Sequence, residues 1–435
     1  MGDAPRSRVL AIMGSGETSP TMVTIHKVLA SRLGEGDRSA VLLDTPYAFQ
    51  ENAADISARA QAYFARSVGL DVAVVSDADR PASQNPAAAA GLAAIRSADW
   101  VFAGPGSPSY ALTRWRGGPV ASALRERIAA GTGITIIASA AAAAIGVRAV
   151  PVYEIYKVGA DPHWLDGLDL LGVIGLKVAV IPHYDNAEGG THDTRFCYLG
   201  ERRLSMLETG LPADTAVLGV DEHTALVFDL AAGEAQVMGR GGATVRKAGV
   251  STVLPSGTVI ALADLAHMAR SGEGGARYLA GAVAADPAGT APGSGPVAES
   301  GLAARDAMEL PEITRGTQSR FSLAERERSS AEMVAAILDL DSAIEEWATD
   351  TDENDNAEQA RAVLRGLVTR LGQTAEQGLV DPAERLRPAI DPLLKLRDSL
   401  RRDGAYAAAD VIRDALIAAG VRVQDSPDGT TWSPG

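Results

Sequence analysis

Residues 134–144 read Ile134-Thr-Ile-Ile-Ala138-Ser139-Ala-Ala-Ala-Ala-Ala144. The first five form a short continuous run of the kind a strand buried on both faces presents. The alanines after Ser139 are the strongest helix formers, so the chain passes from strand to helix at Ser139 with no room for a loop. A serine on so tight a turn projects its hydroxyl clear of the sheet. The next backbone N–H then points to where an oxyanion would develop. The same segment also suits a plain helix start with Ser139 as its cap, so the functional reading depends on the neighbouring turns.

Outward from this point the pattern repeats. Val9–Met13, Ala40–Leu43, Val72–Val75, Trp100–Ala103, Lys177–Ile181, Ala216–Val220, Ala225–Asp229 and Val259–Leu262 are short runs rich in apolar and β-branched residues. Between the earlier ones, Asn52–Val68, Ala87–Arg96 and Pro119–Ala130 have helical spacing. Strands alternating with helices of this length predict an α/β fold with a doubly wound, mostly parallel sheet. At 435 residues the chain is too long for one ordinary domain. The α/β pattern takes residues 1–280. Residues 281–325, with ADPAGTAPGSGPVAESG at 285–301, read as a Gly/Pro/Ala/Ser-rich flexible linker that cannot bury enough apolar surface to order itself. Residues 326–435 keep a helical period over Glu332–Trp347, Ala357–Leu371, Ile390–Arg402 and Tyr406–Ala419. Start signals lie at Ser329–Ser330 and near Pro392, and Gly420 is a fitting cap. A small hairpin turning at Pro427–Asp428–Gly429 ends the chain. The prediction here is a separate small C-terminal α-helical domain.

The composition, 46% hydrophobic and 22% charged, excludes wholesale disorder. A net charge of −15 argues against a surface built for nucleic-acid phosphates. One cysteine, Cys197, excludes a disulfide scaffold or a Cys-rich metal site. Gly, Pro or charge breaks every apolar window short of the ~18 residues a bilayer demands, and the first residues lack a leader pattern. A cytoplasmic protein without membrane contact is expected.

Several residues converge on the edge where Ser139 emerges. In an open α/β sheet the crevice lies at the carboxyl ends of the strands. The run ending at Ile181 leads into His183 there, a general base for the serine. Glu154, in PVYEIYKVG, is a candidate to orient the imidazole. The glycine turns Gly14–Ser19 and Gly104–Tyr110 end strands on the same edge and can offer N–H groups to an oxyanion. His192, Asp193 and Asp185 beside His183 would suit a metal, but no second set of spaced ligands supports that, and neither metal nor cofactor is expected. Arg195 either holds a substrate carboxylate bidentately or closes a salt bridge inside its loop. Asp221 and Glu222 are either rival acids or turn residues at a strand end. Gly16, Glu17, Asn186, His192, Arg195 and Glu222 are taken as candidate substrate contacts.

Residues 8 to about 265 resemble the serine peptidases that include peptidase E and cyanophycinase, of class I glutamine amidotransferase-like, flavodoxin-like fold. The family's Gly-x-Ser-Ala-Gly-Ala appears here as Ile137-Ala138-Ser139-Ala140-Ala141-Ala142, with both glycines replaced. Pro182-His183-Tyr184-x-Asn186-Ala187 and Gly190-x-His192-x-Thr194-Arg195 resemble its histidine loop. Leu218-Gly219-Val220-Asp221-Glu222-His223-Thr224-Ala225 and Gly14-x-Gly16-Glu17 resemble two further turns. In peptidase E the acid lies fifteen residues after the serine, a place held here by Glu154. The resemblance therefore implies a Ser139–His183–Glu154 triad. Its oxyanion hole would come from the N–H of Ala140 and one from the Gly104–Gly106 turn. It further implies a small peptide or isopeptide as substrate, and a homodimer is the expected assembly.

Leu393–Trp432 resembles the end of bacterial cysteinyl-tRNA synthetase. The likeness rests on Leu396-Arg397, Ala409-Asp410-x-Ile412-Arg413-x-x-Leu416, Gly420-Val421 and Asp425-x-Pro427-x-Gly429-Thr430-x-Trp432. No His-x-Gly-His or Lys-Met-Ser-Lys-Ser string occurs, so a working synthetase is not expected. From Ala331 onward 20 acidic residues face 11 basic ones. Arg397, Arg401, Arg402 and Arg413 then form either a local RNA-contacting patch or part of a solvated amphipathic face. Two functional readings remain. One is a cytosolic serine hydrolase of peptidase type. The other is a non-catalytic binding protein whose helical tail contacts tRNA or a protein.

Overall fold

The computed structural model describes residues 7–34, 36, 38–79, 87–189, 192–273, 308–351, 356–377, 382–426 and 429–434. The low-complexity stretch 285–301, Gly190, Pro427 and Asp428 lie outside the described residues. Two compact units emerge: Met1–Glu309 together with Glu346–Asn354, and Leu310–Glu345 together with Asp355–Gly435.

The first unit is the α/β part. Its strands are β1 (Val9–Met13), β2 (Ala40–Leu43), β3 (Val72–Val75), β4 (Trp100–Ala103), β5 (Ile134–Ala138), β6 (Arg148–Ala149), β7 (Leu165–Asp166), β8 (Val178–Ile181), β9 (Ala216–Val220), β10 (Thr224–Asp229), β11 (Glu234–Gly239), β12 (Gly242–Lys247), β13 (Val250–Pro255) and β14 (Val259–Ala261). Its helices are α1 (Val23–Ser31), α2 (Ala53–Tyr63), α3 (Ala88–Ser97), α4 (Pro108–Trp115), α5 (Pro119–Ala130), α6 (Ser139–Ala144), α7 (Gly200–Glu208) and α8 (Leu262–Ser271). One sheet has the order β14-β11-β10-β1-β5-β4-β2-β3 and a second the order β13-β12-β9-β8-β6-β7. In the first, β1, β5, β4, β2 and β3 run parallel. The antiparallel strands β10, β11 and β14 extend it.

Helices cover both faces of this parallel core. Along β1, Leu10 and Ile12 enter one apolar layer with Val101, Leu124 and Ile137. The alternate residues Val9, Ala11 and Met13 enter the other, with Trp100, Phe102 and Phe64. Burial on both sides is why β1, β4, β5, β8 and β9 are continuous runs, apolar but for Thr135 of β5, rather than alternating. The later strands differ. β11 alternates and β13 is mostly exposed, so their sequences carry too little apolar signal to predict them.

The second unit holds α9 (Leu310–Arg326), α10 (Ser330–Glu346), α11 (Asn356–Gln377), α12 (Pro382–Arg402), α13 (Tyr406–Ala418) and the hairpin β15 (Val421–Ser426)–β16 (Gly429–Pro434). Two expectations need correction. The linker assigned to 281–325 gives way to helix at Leu310, where Leu310, Ile313, Thr317, Phe321 and Ala324 supply a buried stripe at helical spacing. The third tail helix starts at Pro382 and takes Pro388 and Pro392 into its interior, rather than starting near Pro392. Ser329 caps α10 as expected, accepting the N–H of Glu332 at 3.4 Å. Gly420, at φ +79°, stands just past the end of α13 in the left-handed conformation. No helix among the described residues is long and apolar enough to cross a membrane.

Candidate active site

Strand pairing fixes where the site residues meet. β5 lies between β1 and β4 with Ala138 opposite Met13 and Ile137 opposite Ala103. Ser139 and the two glycine turns therefore leave the sheet on one edge. In the second sheet Ile181 of β8 pairs with Gly219 of β9, which brings His183 level with Asp221–His223. Those three residues carry the chain from β9 across to β10, whose Ala225 pairs with Met13. The acid turn thus sits where the two sheets meet.

Ser139 has φ +46° and His183 φ +48°. Left-handed backbone is uncommon for residues with a Cβ and gathers at functional sites. Ser139 Oγ lies 3.2 Å from His183 Nε2. On the far side of the ring, Nδ1 lies 2.9 Å from Glu222 Oε1. A carboxylate there accepts the Nδ1 proton, which makes Nε2 the acceptor for the serine hydroxyl. Asn186 Nδ2 donates to the same Glu222 oxygen at 3.1 Å. The backbone N–H of Glu222 donates to Asp185 Oδ1 at 2.7 Å. Burial pushes the Glu222 carboxyl up, yet hydrogen bonding to His183, the imidazole's charge and Asn186 outweigh it and hold it below its ordinary value.

Glu154 is not the residue on His183. It opens a short helical turn, Glu154–Val158, and its Oε2 is buried without a hydrogen bond among the described residues. The cause is strand order. Glu154 comes after β6, which pairs with β8 on the flank opposite β9. Glu222 comes directly after β9 itself.

The candidate oxyanion donors lie close together. Ala140 lies in the first turn of α6, where an N–H has no intrahelical acceptor. Gly104 accepts the N–H of Ala141 at 3.2 Å through its carbonyl, tying the β4 turn to the serine turn. Gly106 has φ +130°, and a Cβ there would strike the Pro46 carbonyl. Gly16, at φ +61°, packs against the His223 ring. Glu17 is fully buried, with Oε1 2.7 Å from where a Gly104 Cβ would stand.

Three expected substrate contacts are otherwise engaged. Asn186 is fully buried and serves Glu222. Arg195 closes the internal salt bridge, with Nε 2.8 Å and Nη2 2.9 Å from the Asp193 carboxylate. Exposed His192 stacks beside Tyr156, ring centroids 6.5 Å apart. No group of three or more metal-binding side chains occurs among the described residues. Cys197 is buried, and burial pushes its thiol up to about 12.

Asp221, in sequence a rival acid or a turn residue, takes the turn place. Its Oδ2 accepts the Gly242 N–H at 2.7 Å. Burial first, then the charge of Asp185, push its carboxyl up from 3.8 to about 6. A pKa raised on folding means that the folded state binds the proton more tightly than the unfolded chain. The stabilisation is complete below the unfolded value and is lost as pH rises through about 6. Asp221→Asn removes that loss. The thermal midpoint of the variant relative to the native chain is expected to rise from pH 4 to 6, as scanning calorimetry would record; a pH-independent difference contradicts the shift.

Residues 383–432 match the family described as the cysteinyl-tRNA ligase anticodon binding domain. A cysteine–tRNA ligase of Salinibacter ruber is 53% identical over 58 residues, 13% of this chain and 11% of that protein. One of Chlorobium luteolum is 34% identical over 145 residues, 29% of this chain and 30% of that protein. The chain thus spans a third or less of the length of these curated relatives. Among solved structures, a peptidase from an acI-B1 Actinobacterium aligns with a TM-score of 0.46 and 22% identity, over 59% of this chain and 97% of that one. A putative peptidase E protein from Listeria monocytogenes EGD-e aligns with a TM-score of 0.36 and 14% identity, over 54% and 98%.

Proposed function

We propose that the first unit is a serine-type hydrolase that opens a peptide or isopeptide bond through an acyl-enzyme on Ser139. The observation that carries this reading is the relay from Ser139 Oγ through His183 to Glu222, mounted on two left-handed residues. Ser139 Oγ attacks the carbonyl carbon while its proton passes to His183 Nε2. The oxyanion meets the N–H of Ala140 and one from the Gly104–Gly106 turn. Collapse of the tetrahedral species breaks the C–N bond, and the leaving amine takes the proton from Nε2. Water, deprotonated by the same nitrogen, then releases the acid and restores the serine. Glu222 holds the ring and balances the imidazolium charge. The single cysteine supports a cytoplasmic setting for this reading.

A fluorophosphonate tests it. Intact-mass analysis of the native chain is expected to show one adduct, absent from Ser139→Ala and His183→Ala. A native chain that takes up no adduct overturns the ready-made relay.

The anticodon-binding match favours a second role, tRNA contact by the helical unit. Within this role the chain acts without ligase chemistry of its own, since no synthetase signature string is present. The basic side chains are fewer than their number suggests. Of Arg397, Arg401, Arg402 and Arg413, the first two bind Asp425, which leaves exposed Arg402 and Arg413 of that set to meet phosphate. Binding is then expected to fade between about 50 and 200 mM salt and to weaken in Arg413→Ala. No mobility shift of tRNA at low salt sinks this role.

A further inference from the structure

The first unit is completed by residues from far along the chain, and they gather on the acid turn. His223 directly succeeds Glu222 and is itself left-handed, at φ +51°. Its Nδ1 lies 2.8 Å from Thr21 Oγ1, and its carbonyl accepts the Arg240 N–H at 3.1 Å. Its Nε2 faces Glu309 Oε1 at 3.7 Å, and Arg240 holds that same carboxylate oxygen at 2.7 Å. The indole of Trp347 meets the His223 ring edge to face, centroids 6.0 Å apart.

The next few residues of the chain anchor Trp347. The Thr351 N–H donates to Thr18 Oγ1 at 2.9 Å, and the two threonine hydroxyls lie 2.8 Å apart. Arg59 of α2 donates to the Asp350 carbonyl at 2.9 Å. Trp347, Asp350 and Thr351 are all buried. Thr18 adjoins Glu17, whose carboxylate lies beside Gly104 of the candidate oxyanion turn. The Trp347–Thr351 stretch is therefore seated on two of the turns that build the site.

We infer that Trp347, held by the Thr351–Thr18 contact and acting through His223, is a positioning residue that fixes Glu222 against His183. An unbraced His223 would leave a left-handed Glu222–His223 junction to relax, and the carboxylate would drift from Nδ1. Misplacement by an ångström at such a junction costs catalysis far more than it costs binding.

This inference rests on the hydrolase reading, and its test separates the two. The full chain is compared with Trp347→Ala and Trp347→Phe. Fluorophosphonate labelling of Ser139 is measured over probe concentration, and hydrogen exchange is measured over residues 217–226. Trp347→Ala is expected to lower the limiting labelling rate by about 10- to 100-fold with little change in probe affinity. It is also expected to expose the Asp221 and Glu222 amides, which are bonded to Gly242 and Asp185 in the native turn. Trp347→Phe, which keeps a ring edge for His223, restores both. Native labelling and native exchange in Trp347→Ala overturn the inference. If the native chain does not label, the hydrolase reading falls, and the exchange measurement still decides whether Trp347 holds the turn. Loss of exchange protection across the whole unit, with no recovery in Trp347→Phe, reduces Trp347 to a packing residue and also overturns it.

Discussion

Exchanging Glu222 for glutamine is expected to slow fluorophosphonate labelling of Ser139 by about 10³-fold or more, while Glu154→Gln stays within about twofold of the native rate, the scatter expected of a change outside the reacting groups. The asymmetry comes from the 2.9 Å contact between Glu222 and His183 Nδ1. A glutamine fits the same space, and its oxygen can still accept from Asn186. Its neutral amide removes the negative charge that balances the imidazolium formed as the serine gives up its proton. The amide nitrogen can also turn toward Nδ1 and force the wrong tautomer, leaving Nε2 protonated and unable to accept. Labelling rates of the two variants, read beside their circular dichroism, decide the matter. Equal losses would return Glu154 to the site. A loss in Glu154→Gln alone would show that the acid had been misassigned.

In the helical unit the largest expected effect belongs to Arg397→Ala. The Arg397 side chain is fully buried, and its two terminal nitrogens each lie 2.8 Å from an oxygen of Asp425. Thr430 and Arg401 complete the cluster. It fastens β15 and β16 onto α12, beside the small apolar group of Ile390, Leu394, Leu416, Val421 and Val423. Deleting the guanidinium leaves a carboxylate without its main partner at the hairpin. Buried pairs broken on one side cost about 3–5 kcal/mol, and the partial exposure of Asp425 puts this one near ~3 kcal/mol. Arg397→Lys recovers only part, because an ammonium cannot engage both oxygens. Hydrogen exchange over Val421–Ser426 reads the loss locally. Unchanged protection in Arg397→Ala would falsify the pairing as the fastening of the hairpin.

Ser139 and His183 are legible in the sequence because each depends on local pattern. A buried strand runs into small residues at one, and into a polar loop at the other. The acid is not local. Glu222 and Glu154 both come after strands of the second sheet, and the choice between them is made by which strand lies beside β8 on the side of the serine. Chain order does not encode that adjacency, and the fifteen-residue spacing implied by the resemblance points to the wrong flank. Pairing β8 with β9 from their shared apolar runs brings Glu222 level with His183. Leu310–Arg326 is hard to read for another reason: its stripe mixes Thr and Ala with larger apolar residues, and it stands at the end of a Gly- and Pro-rich tract. Arg397 reads as a surface cation until the hairpin carrying Asp425 is folded over it.

The first unit takes back Glu346–Asn354 after the chain has already begun the second. A single recombination breakpoint between residues 280 and 308 would therefore not exchange one module for another. It would strip the α/β unit of Glu309 and of the Trp347–Thr351 stretch, and hand its new partner an acid turn with nothing behind it. An exchange that keeps the α/β unit whole therefore needs both crossings outside the span from Glu309 to Thr351.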